Sequence, residues 1–257
     1  SLSRGAPSAT RPPLREASTP NNIAAQWQVW ILSLQRLFAD RLASPDEQAY
    51  PASMNKITLH KGDLPANLDL GSIIAVDTEA MGLDPVRDAL CVVQISSGDG
   101  AAHVVQLERS YDCPNLKAML ADPKILKIFH FARFDLAMMK KWLGVACAPV
   151  WCTKIASKLA RTYTDRHGLK DVTRELVGLN MDKSQQSSDW GAAELSDQQL
   201  QYAASDVLHL HDIRLGLLAM LEREGRVDLA QACFEFLPVR AELDLLGWGE
   251  TDIFAHS

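Results

Sequence analysis

The sequence predicts an α/β protein whose mixed sheet, an antiparallel meander plus parallel strands, is flanked by helices. Three observations predict it. Residues 73–76, Ile-Ile-Ala-Val, run into Asp77-Thr78-Glu79, which reads as a buried strand with an acidic end. Two further apolar runs, residues 90–96 and 102–107, are separated by Gly98-Asp99-Gly100, a hairpin turn. From residue 115 onward, helical periodicity alternates with short apolar runs, the pattern of strands joined by helices.

A chain of 257 residues holds one sizeable core, or one core plus a small appendage. With 47% hydrophobic and 23% charged residues, it fits a soluble globular class. Cys91, Cys113, Cys147, Cys152 and Cys233 form no C-x-x-C pair and no metal-ligand spacing. They are expected as reduced thiols in a cytoplasmic protein, which argues against a disulfide framework and a zinc site. No apolar run has membrane-spanning length and no leader pattern is present, so no membrane partner is expected. The formal charge of -6 argues against a nucleic-acid partner, but it hides an asymmetry. Residues 124–183 carry twelve Lys or Arg against five Asp or Glu, a local +7, which leaves -13 elsewhere. A basic sector beside an acidic site suits phosphodiester chemistry, while ordinary solvated helix faces are the alternative.

In chain order, residues 1 to about 20 are rich in Ser, Pro, Ala and Arg and are expected to be disordered. Residues 22–43 place Ile23, Trp27, Trp30, Ile31 and Leu34 at helical intervals, an amphipathic helix. Met54 is a second plausible beginning, followed by a strand at 56–60. Residues 1–53 are thus expected as an N-terminal arm or a misassigned extension, 54–247 as the folded domain and 248–257 as a tail. After the acidic strand, Gly82 and Pro85 mark a loop, and the next two strands complete a meander of three. A helix is expected at 115–121, a strand at 125–129, and a helix at 133–143 stopped by Gly144. A short strand at 149–152 leads into a helix at 154–163, and a helix at 169–177 ends at Gly178. Ser196-Asp197-Gln198-Gln199 is a capping box opening one long helix to Leu221. A last helix spans about 227–246 and ends at Gly247.

The alternation of a strand puts Asp77 and Glu79 on one face, where two carboxylates repel unless a cation or a shared proton intervenes. A solvated acidic turn is the alternative for that stretch alone, and two later carboxylates weigh against it. Asp135 lies in the first turn of its helix among Met138, Met139 and Trp142, where it needs a partner or serves the helix N-terminus. Asp206 sits mid-helix, four residues after Tyr202 and on the same face, among Ala203, Ala204, Val207 and Leu210. Four such carboxylates in one pocket require divalent cations, and hard oxygen ligands suit two Mg²⁺ or Mn²⁺ ions.

These segments resemble the ribonuclease D branch of the DEDD 3′–5′ exonucleases. Asp77-Thr78-Glu79 matches the first motif and His130-Phe131-Ala132-Arg133-Phe134-Asp135 the second. Tyr202-Ala203-Ala204-Ser205-Asp206 matches the third in its tyrosine form, since Gln201 stands where the sibling subclass has histidine. Asp182-Lys183-Ser184 followed by Ser188-Asp189-Trp190 is a further similar segment.

The resemblance covers about residues 54–246 and implies a ribonuclease H-like fold and two-metal removal of nucleotides from a 3′ end. It implies Asp77, Glu79, Asp135 and Asp206 as metal ligands, with Tyr202 orienting the attacking water because phenol is a poor base near neutrality. Thr78, Met81 and Leu83 are implied contacts to the terminal nucleotide, with loop packing as the alternative. Lys183, Gln186 and Ser188 are candidates for phosphate, and His130 for support of the second motif. His209 and His211 are expected on the helix exterior, and Trp190 in the core. Ribonuclease D typically continues into two helical HRDC domains that grip RNA, whereas here about one helix follows the third motif. The expected activity is 3′–5′ exoribonuclease on single-stranded RNA ends, in tRNA 3′ processing or RNA turnover. A DNA-directed exonuclease of the same fold and an inactive nucleic-acid-binding module are the alternatives, and the oligomeric state is not readable.

Overall fold

The structure, a computed structural model, describes residues 56–181 and 187–256. The expected arm over residues 1–53, with its amphipathic helix at 22–43, lies outside the described residues.

Six strands form one sheet in the order β1-β4-β3-β2-β5-β6. They are β1 (Lys56–Lys61), β2 (Ile73–Ala80), β3 (Leu90–Ser96), β4 (Ala101–Gln106), β5 (Leu126–Phe129) and β6 (Val150–Cys152). β2, β3 and β4 form the antiparallel meander, with Gly98 and Gly100 of the β3–β4 turn at φ 81 and 85. β5 pairs parallel with β2, and β6 pairs parallel with β5. β1 adds a parallel edge on β4. Every residue of β3 is buried, as befits a central strand covered on both faces.

The helices are α1 (Pro114–Ala121), α2 (Ala132–Met138), α3 (Thr153–Ala160), α4 (Leu169–Leu176), α5 (Asp197–Leu208), α6 (Leu210–Arg223) and α7 (Val227–Leu243). α5 packs along β1, β4, β3 and β2, while α2 and α7 meet each other and β6. The stops at Gly144 and Gly178 occur with φ 70 and 79, which glycine adopts without a Cβ clash. α2 passes into a wider turn over Met139–Leu143, and α7 does the same over Asp244–Trp248, where Gly247 has φ 100.

One expectation is corrected: the long helix from the Ser196 capping box is two helices. His209, at φ -108 and ψ 0, breaks α5 from α6. The turn lets His211 bring Nε2 to within 3.3 Å of the Ile73 carbonyl and lay its ring over Gly98, where a Cβ would stand 2.7 Å from it. His209 and His211 are therefore half-buried rather than exterior, and burial lowers the pKa of both. No helix among the described residues is long and apolar enough to cross a membrane.

The basic sector is partly internal. Lys127 is fully buried and donates to the carbonyls of Asp122 (2.8 Å) and Ala148 (2.7 Å). Arg161 is buried against Glu175, and Arg133 binds Asp244. The surface cation excess is accordingly smaller than the sequence count.

Candidate functional site

The site begins at the acidic end of β2. Asp77 and Glu79 are half-buried and lie two residues apart, hence on one face. Antiparallel register puts Gln94 of β3 opposite Asp77. Gln94 is fully buried, and its Nε2 donates to Asp77 Oδ2 at 2.9 Å.

α5 brings the next two groups. Ser196 caps it by accepting from the Gln199 amide, while the Gln199 side chain accepts from the Ser196 amide. That fixed start orients Tyr202 and Asp206, one helical turn apart, towards β2. The Tyr202 hydroxyl hydrogen-bonds Asp206. Carboxylate oxygens of Asp77, Glu79 and Asp206 lie within 4.8 Å of one another.

Asp135 stands outside that trio but close to it. It occupies the first turn of α2, is only 3% exposed, and accepts from Thr78 Oγ1 at 2.6 Å. Thr78 thus lines the cleft with its hydroxyl engaged by a carboxylate.

The electrostatics follow from this crowding. Burial, then the charges of Asp135, Asp206 and Glu79, holds the Asp77 carboxyl well above the usual carboxylate range. Burial, then Asp206 and Asp135, pushes Glu79 up to about 9. Burial lifts Asp135 to about 7 against the opposing hydrogen bond from Thr78. Burial and the neighbouring carboxylates also raise the Tyr202 phenol, so it keeps its proton at neutral pH. A donor set made of carboxylate oxygens alone, short of positive charge, fits a hard divalent cation. Asp77, Glu79 and Asp206 would hold such an ion, with Asp135 beside them.

An open cleft of about 640 Å³ surrounds the cluster. Met81 and Leu83 stand at it, 49% and 87% exposed. His130 lines it and pairs Nδ1 with Thr153 Oγ1 at 2.7 Å. Ser188 also lines it, whereas Lys183 and Gln186 lie outside the described residues. Trp190 is both core and lining: it is 2% exposed, packs with Val92, Val104 and Ala203, and sits 6.0 Å from the Tyr202 ring.

Sequence reasoning missed Gln94, Phe134 and Lys154. A lone amide in the apolar run of β3 was a readable signal for Gln94. Phe134 stood inside the second-motif segment without being singled out, and Lys154 lines the cleft without any local mark.

A family model described as 3′–5′ exonuclease matches residues 62–222. Ribonuclease D of Gluconacetobacter diazotrophicus is 36% identical over 155 residues, which is 60% of this chain and 39% of that protein. The chain thus spans about two fifths of the length of that curated relative. Among solved structures, Brucella melitensis NrnC with bound Mg²⁺ is 56% identical at a TM-score of 0.75, covering 79% of this chain and 100% of its own. NrnC bound to pGG is 54% identical at a TM-score of 0.74, covering 79% and 99%. Escherichia coli RNase D is 26% identical at a TM-score of 0.59, covering 66% and 45%.

Proposed function

Because the chain belongs to the 3′–5′ exonuclease family, we propose that it is a two-metal exoribonuclease removing nucleotides from the 3′ end of single-stranded RNA. The observation that carries this reading is the convergence of Asp77, Glu79 and Asp206 within 4.8 Å, from one strand and one helix far apart in sequence. Mg²⁺ or Mn²⁺ ions bound there would acidify the attacking water and stabilise charge on the attacking and leaving oxygens. The NrnC structures with Mg²⁺ and with pGG support a divalent cation and a nucleotide ligand.

The chain's own groups position the reaction. Gln94 fixes the Asp77 carboxylate through Oδ2, and Thr78 fixes Asp135 through Oδ1. Tyr202 orients the nucleophile through its hydroxyl and keeps its phenolic proton, so it does not serve as the base. Met81 and Leu83 offer apolar surface to the terminal base, and Ser188 with Lys183 and Gln186 would contact phosphate. RNA turnover or tRNA 3′ processing is the setting this activity fits, in a cytoplasm that keeps its five cysteines reduced.

Hydrolysis of a 3′-labelled oligoribonucleotide and its DNA counterpart, with Mg²⁺, Mn²⁺ or EDTA, tests this reading. RNA cleavage from the labelled end that EDTA abolishes is expected. Preferential cleavage of the DNA would reassign the substrate, and inertness towards both would leave only a binding module.

A further inference from the structure

Beside the cleft, and sharing Lys154 with it, lies a second hollow of about 280 Å³. Phe131, Ile155, Phe236 and Leu237 give it apolar walls drawn from the start of α2, from α3 and from α7. Four cations border it, Arg133, Lys154, Lys158 and Arg240. Asp244 binds both arginines, and Glu250 is a further carboxylate whose charge reaches Arg133. Cations therefore still outnumber carboxylates around the hollow.

Phe131 is the unusual member. Its φ of 75 lies in the left-handed region, which a bulky side chain rarely adopts. The residue is 43% exposed, and Lys154 Nζ sits 4.3 Å from the ring centroid. Phe236 is 37% exposed at the same hollow. Backbone strain and exposed aromatic surface, both next to the cleft-lining His130, are what a ligand-facing position shows. Apolar rings among cations match a polynucleotide, whose bases have flat apolar faces and whose linkages are anionic.

We propose that this hollow is a second nucleotide subsite. It takes a base of the strand 5′ to the nucleotides in the cleft, against Phe131 and Phe236, with a flanking phosphate at Lys158. The inference rests on the cleft being a nucleic-acid site, and Lys154 makes the two continuous. Recognition there is indifferent to sequence, because every base offers a π-face.

Lys158→Ala and Phe236→Ala test it, since both side chains are solvent-accessible and lie outside the cleft. Affinity for fluorescein-labelled oligoribonucleotides of two and ten nucleotides is measured by anisotropy in EDTA, so that nothing is cut. The expected result is about tenfold weaker decamer binding by each variant, the scale of one lost stack or phosphate contact, with dimer binding unchanged. The salt slope for the decamer should also fall by about 0.7 in Lys158→Ala. A decamer held equally well by both variants overturns this proposal alone. Phe236→Ala protein that keeps its decamer affinity but changes mass in light scattering also overturns it, assigning the surface to a second copy. Wild-type protein that binds the decamer no better than the dinucleotide overturns this proposal, and the cleft reading falls with it only if the oligoribonucleotides are also left uncut in Mg²⁺.

Discussion

Thr78 Oγ1 donates to Asp135 Oδ1 at 2.6 Å, joining the acidic strand β2 to the first turn of α2. This bond holds a nearly buried carboxylate beside three others, and it opposes the upward pull of burial on Asp135. Thr78→Val removes the hydroxyl at nearly constant volume. In the metal-free protein the Asp135 titration is then expected to move above about 7, read by NMR of its carboxyl carbon. An unmoved titration would mean that the hydroxyl does not hold the carboxylate.

Gln94 stands to Asp77 as Thr78 stands to Asp135. Its amide holds one oxygen of a ligand carboxylate from inside the sheet. Partners of metal ligands typically contribute about 10–100-fold to metal affinity. Gln94→Leu is therefore expected to weaken Mn²⁺ binding on that scale by isothermal titration calorimetry. Unchanged affinity with intact folding would show that the amide merely fills space.

Tyr202→Phe tests whether the hydroxyl takes part, and the pH–rate profile separates orientation from proton transfer. Loss of the hydroxyl is expected to lower kcat by roughly 10²–10⁴-fold. Because burial and the carboxylates raise the phenol further, its ionisation should leave no limb in the wild-type pH–rate profile below pH 10. Full activity in the variant would remove Tyr202 from the reaction.

The carboxyl cluster also makes stability depend on pH. Glu79 titrates near 4.5 when unfolded and at about 9 in the folded, metal-free chain, and Asp135 moves from 3.8 to about 7. The folded state thus binds more protons than the unfolded state, and the unfolding free energy falls as pH rises. The stabilising effect of protonation is complete below about pH 4 and is lost progressively up to about pH 9. In EDTA, the pH 5 to 9 loss of melting temperature should be smaller in Glu79→Gln than in wild type, and saturating Mg²⁺ should reduce it in wild type. Identical slopes in both proteins would place the carboxyl in water.

Much of this was legible because it is local. Strand alternation put Asp77 and Glu79 on one face, Gly98 and Gly100 marked the hairpin, and Ser196 with Gln199 marked the start of α5. Helical spacing paired Tyr202 with Asp206. What stayed hidden depends on distant partners. The apolar stripe runs through Leu208-His209-Leu210 without Gly or Pro, so the break between α5 and α6 carries no local mark. Its reason lies in the Ile73 carbonyl and Gly98, more than a hundred residues earlier. The parallel pairing of β1 with β4 is equally non-local. The left-handed Phe131 looks like an ordinary helix-start residue until its backbone is seen. Lys127 counted as a surface cation until its buried carbonyl partners appeared.

The most direct measurement is the anomalous scattering of manganese in crystals soaked with Mn²⁺. Peaks are expected within about 2.2 Å of carboxylate oxygens of Asp77, Glu79 and Asp206, the usual reach of a hard divalent ion, and should vanish in Asp206→Asn. No peak at this cluster in well-ordered, Mn²⁺-saturated crystals would contradict its assignment as the cation site.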